Sequence, residues 1–218
     1  MKMRIAVLSL LTMFCVALAA IPAMAAPISV IYSNGGPVGN VGDYLISNGN
    51  TTSDSFTCSS STCTPTNLRF YEWNLQPGAQ LTNFFWSIST AENGGILIAD
   101  GRAGVPSALP CITNVFGISV CQVTSKLVPL AGFLPLSHGT YWLNLSSARD
   151  ASGPVVTGWD DNGGPSQAST QFGNAVLNNI GSEAFTIYGT TTPEPGSILL
   201  LGSGILGVAG VLRRKLIR

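Results

Sequence analysis

Charge is what this chain has least of. Asp, Glu, Lys and Arg make up 9% of 218 residues, where a soluble domain ordinarily carries about 25%. With 45% apolar residues beside so little charge, intrinsic disorder is excluded, because a disordered chain combines low hydrophobicity with high charge. A nucleic-acid binder, which needs a basic surface, is excluded on the same grounds. Histidine is nearly absent: His138 is the only one. A Ser-His-Asp site would have to use it, and its setting in Leu136-Ser137-His138-Gly139 reads as a turn before a strand. No phosphate loop, dinucleotide fingerprint or zinc-protease helix is present. A glycosidase needs two carboxylates about 5–9.5 Å apart. Glu72 and Glu92 are the conceivable pair, and each reads more simply as decoration of a strand or turn. The expectation is therefore a protein without catalytic residues and without a cofactor.

What charge there is lies unevenly. Lys2, Arg4, Arg213, Arg214, Lys215 and Arg218 stand at the two ends. Between Ala26 and Thr192 four basic residues face nine acidic ones, a net −5. Both ends are also apolar. Met1–Arg4 precedes a nearly unbroken apolar run over 5–20, followed by Ile21-Pro22-Ala23-Met24-Ala25. Ala23 and Ala25 fit the −3/−1 pattern of a secretory signal peptide, so 1–25 is expected to be removed by signal peptidase between Ala25 and Ala26.

At the other end, Pro193-Glu194-Pro195 is followed by an uncharged apolar stretch over 196–212 and then by Arg213-Arg214-Lys215. Seventeen residues make a helix of roughly 25 Å, against a bilayer core of about 30 Å, so 196–212 is expected to be a short membrane span. The basic tail, 213–218, would stay cytoplasmic and stop the chain in the membrane. This order of elements resembles the PEP-CTERM sorting signal, also labelled an ice-binding-protein C-terminal domain. The resemblance covers about the last 26 residues. It implies a bacterium with an outer membrane, recognition by exosortase (a membrane-embedded, transpeptidase-like cysteine enzyme), removal of the tail near Pro193–Pro195, and delivery of the body to the surface or matrix. It also implies a link to exopolysaccharide and biofilm. Physically, two prolines keep the junction extended, which suits a protease cleft.

The body, 26–189, with 190–195 as linker, reads as all-β. Short β-rich runs recur between turn dipeptides such as Asn48-Gly49, Asn93-Gly94 and Asn162-Gly163. Nine or ten strands are expected, forming a single β-sandwich of jelly-roll type. The expected core comprises Phe70, Trp73, Phe84, Trp86, Ile88, Leu97, Phe116, Tyr141, Leu143, Phe185 and Ile187. Without the signal peptide four cysteines remain, and an even number in an exported chain implies disulfides. Of three pairings, Cys58–Cys63 with Cys111–Cys121 is preferred because each closes a local loop; a zinc site is the alternative, disfavoured by spacing. Asp160-Asp161-Asn162, followed by Gly163-Gly164, is a polar cluster that reads either as a turn after a strand or as oxygen ligands for calcium. Trp142 and Trp159 are expected in the core, with stacking on a sugar ring as the alternative if they are exposed. Tyr141-Trp142-Leu143 through Trp159–Ser166 resembles the closing half of β-rich modules that often precede this sorting signal. The expected role is that of an exported structural or adhesive surface protein. A glycan-binding module, assisted by calcium, is the alternative, and a secreted hydrolase the weaker one.

Overall fold

The structure is a computed structural model; it describes residues 27–39, 41–130, 135–173, 175–192, 201–202, 204–207 and 209. Twelve strands are found among them: β1 (Ser29–Ser33), β2 (Gly42–Leu45), β3 (Asn50–Asn74), β4 (Asn83–Ala91), β5 (Gly94–Gly104), β6 (Cys111–Thr113), β7 (Ser119–Lys126), β8 (Leu136–Arg149), β9 (Thr157–Asp161), β10 (Ala168–Phe172), β11 (Ala175–Ile180) and β12 (Phe185–Thr192). All pairings are antiparallel.

The chain is all-β, as its alternation requires, but hydrogen bonds join every strand into one sheet. The reason is β3. At about 3.3 Å per residue its 25 residues would reach roughly 80 Å if straight, so it bends. Between Cys58 and Thr62 its register on β8 breaks: three residues, Ser59 to Ser61, stand opposite His138. Such an insertion bends the bulged strand, and the Cys58–Cys63 disulfide closes the bulge. Before the bend, β3 lies between β8 and β10; after it, β3 lies between β7 on one side and β12 and β9 on the other. The sheet thus folds onto itself, and the expected pair of separate sheets becomes two halves sharing one strand.

The core fills the space between the halves. Phe70, beyond the bend, packs edge-on against Phe84 of β4 with ring centroids 5.0 Å apart. Trp159 meets Phe70 and Phe185 edge-on, with ring centroids 6.1 and 5.4 Å apart. Alternation puts Leu143 and Leu145 of β8, and Phe185 and Ile187 of β12, on this inner side, all fully buried. On the outer side of β8, Asn144 bonds Ser53, Ser87 and Ser89, so this polar side chain is buried but satisfied. Asn48 and Gly49 both have positive φ, the requirement of a type I′ turn, and the amide of Asn50 donates to the Ser47 carbonyl at 2.9 Å.

Two expected core residues are outside. Leu97 is 57% exposed: the register slips between Ile88 and Ser89, and the β4–β5 hairpin end carrying Leu97 extends past its neighbours. Phe116 is 61% exposed in the β6–β7 turn, its ring 5.9 Å from Trp73. Thr190–Thr192, read as linker, continue β12 and pair with Thr64, Cys63 and Thr62.

Candidate functional site

Five acidic side chains meet where β2, β9 and the start of β12 approach the first half of β3. β9 carries Asp160 and Asp161, Asp43 pairs with Asp160 across β2, and Glu183 bridges Asp161 just before β12. Asp54 reaches the same place from β3: its Oδ2 accepts the Glu183 amide at 2.7 Å and Asn34 Nδ2 at 3.2 Å. Asn34 also donates to Ser166 and Ser182 and to the Glu183 carbonyl, so one amide ties three segments together. Gly158 is required here, since a Cβ on it would collide with the Asp43 carboxylate.

Burial dominates the chemistry of this cluster. It pushes Asp43 up to about 6, helped by the charge of Asp160. It pushes Asp54 up to about 7 against the pull of its hydrogen bonds. Glu183 is wholly buried with neither carboxyl oxygen hydrogen-bonded. Burial first, and then its four acidic neighbours, hold it well above the ordinary carboxyl range. Glu72 stands electrostatically apart: burial alone raises it to about 7, opposed by a hydrogen bond from Thr157.

Each of the three residues read as turn or calcium ligands has at least one side-chain oxygen engaged by the fold. Asp160 accepts the amides of Val38 and Gly39 at 3.1 and 3.2 Å, and the indole of Trp73. Asp161 accepts the Gly163 amide at 3.0 Å, and Asn162 accepts that of Gly164 at 2.9 Å while donating to the carbonyls of Asn34 and Gly36. They are pins that fix the loop after β1 and the turn after β9. Among the described residues no group of three or more His, Cys, Asp or Glu is arranged to hold a metal ion. The sugar-stacking alternative for Trp142 and Trp159 does not fit either: they are 9% and 0% exposed, and the Trp159 indole donates to the Ala184 carbonyl.

Both disulfides form as the local spacing favours, Cys58–Cys63 and Cys111–Cys121. The second joins directly paired residues of the β6–β7 hairpin. With all four sulfurs of the described residues paired, none of them is a thiolate for zinc. His138 is exposed on β8, opposite the bulge. Glu72 and Glu92 are not brought together: Glu72 is buried against β9, whereas Glu92 lies in the β4–β5 turn of the other half.

The route to the C-terminus ends beside the bulge. The Thr192 carbonyl accepts Ser61 Oγ at 2.8 Å, and its hydroxyl accepts Thr62 Oγ1 at 2.8 Å. Ala23, Ala25, Ala26, Pro193, Glu194, Pro195, Arg213, Arg214 and Lys215 lie outside the described residues. Within the expected span, residues 201–202, 204–207 and 209 are helical and exposed; among the described residues no helix is long and apolar enough to cross a membrane.

No curated protein matches the chain. Residues 191–215, which overlap the last two residues of β12, match the PEP-CTERM protein-sorting motif, and this motif implies an exported protein whose precursor passes through the membrane for sorting by exosortase.

Proposed function

We propose that the protein is a structural or adhesive component of the bacterial surface or extracellular matrix, released from a membrane-held precursor and not an enzyme. The observation that carries this reading is the sorting motif beginning in the last residues of β12, directly against a disulfide-braced β body. Signal peptidase removes 1–25, and the exosortase-type enzyme removes the tail. The matured body then works among exopolysaccharide, as the sorting class suggests. Two disulfides suit an oxidising compartment. Uncharged hydroxyls and satisfied polar pairs on the outer side of β8 suit a rigid, inert module.

Intact mass of the protein recovered from the cell surface and medium tests this. The expected species begins at Ala26 and ends near 193–196. A species still carrying Arg218 and sedimenting with membrane would overturn the processing, and with it the surface role.

A further inference from the structure

The folded body leaves no slack before the sorting motif. Thr192 is still paired to Thr62 and bonded to Ser61, and Pro193 is the next residue. Three residues reach at most about 11 Å, so all of Pro193–Pro195 lies within that distance of the β12 end. A folded domain is about 30 Å across. An enzyme of even that size, holding the motif in a cleft, must touch the rim of the body around it.

That rim has its own chemistry. It is made by Ser59 and Ser61 at the bulge of β3, Ser137 and His138 of β8, and Thr192 of β12. The three serines and Thr192 carry hydroxyls, none of these five residues is a carboxylate, and His138 is the one titratable side chain among them. The nearest described acids do not face it: Asp54, four residues before Cys58 along β3 and roughly 13 Å away, is fully buried, and Glu72 lies ten residues beyond Thr62, roughly 33 Å away at ~3.3 Å per residue. The disulfide Cys58–Cys63 holds the bulge in shape. We propose that this hydroxyl rim is the docking surface for the sorting enzyme, which meets it with a polar, uncharged protein face. The inference rests on the reading of the tail as an exosortase substrate.

The test uses the full chain in its own producing cells, with pulse-chase and intact mass reporting the processed fraction. Ser59→Glu with Ser137→Glu puts two carboxylates on exposed rim positions. A charge forced into a contact without a partner is penalised, so processing slows ten-fold or more. A twenty-residue Gly/Ser spacer between Thr192 and Pro193, about 25 Å in mean reach, moves the motif off the rim and restores the rate in the double variant. Unchanged processing of the double variant overturns the proposal. So does a slow rate that the spacer fails to restore, provided the thermal melt shows the body still folded. If melting shows it unfolded, Ser137→Glu alone is read by the same two criteria. Absence of processing in the unmodified chain would overturn the sorting reading itself and so remains distinguishable.

Discussion

Replacing Glu72 by Gln stabilises the protein at pH 8 and leaves it nearly unchanged at pH 4. The Thr157 hydroxyl lies 2.8 Å from Glu72 Oε2 and 2.8 Å from the Trp73 carbonyl, yet it has one hydrogen to give. A protonated Glu72 donates to Thr157, which then donates to Trp73, and every group is served. An ionised Glu72 shares that hydrogen with the carbonyl, so the Thr157 bond only partly offsets the burial that raises Glu72 from 4.5 to about 7. Between those values the folded state keeps a proton that the unfolded state has lost, so stability falls as pH rises through the window. At about 1.4 kcal/mol per pH unit, the loss amounts to roughly 3 kcal/mol by pH 8. Gln donates to Thr157 at every pH and removes the loss. For a body of this size that is about 6–12 °C in melting temperature. Calorimetric melts of the protein and of the variant, at pH 4 and pH 8, give the comparison. Other carboxyls also titrate, but Glu72 is shifted without a contribution from them, so the difference between the two proteins isolates it. Melting temperatures that run parallel from pH 4 to pH 8 would refute the reasoning.

Asp54→Asn is expected to flatten part of the remaining pH dependence. Its carboxyl is also raised to about 7, so the variant should gain on wild type in urea unfolding between pH 5 and pH 8, and lose or match it at pH 4. Gly158→Ala drives a methyl into the Asp43 carboxylate and should cost about 1–3 kcal/mol. Adding Asp43→Ala to that variant should recover part of the loss in the same melts. Replacing Cys58 and Cys63 together by Ser removes a short covalent loop at the β3 bend. It should lower stability by about 2 kcal/mol and speed proteolysis near Ser59–Ser61, read by limited digestion.

Some properties of this protein are written in short stretches of chain. The sorting motif matched at residues 191–215 is an address, and its residue order carries it without a fold. Alternation in Thr140–Leu145 and Ala184–Tyr188 sets β structure because the two faces of a strand differ in solvation. The disulfides were legible because cysteines five and ten residues apart meet through local geometry. Tertiary structure alone decided the rest. That Asn50–Asn74 forms one strand through its bend depends on partners from β7, β8 and β12, far along the chain. Leu97 and Phe116 are exposed because a register slip and a turn place them beyond their neighbours, although their hydrophobicity reads as core. Asp54 stands among Ser and Thr in a run that suggests a solvated strand. It is buried because Asn34, Ser182 and the Glu183 amide, the last 129 residues away, close over it. A carboxyl's environment is made by the groups folded around it, and no local pattern encodes those.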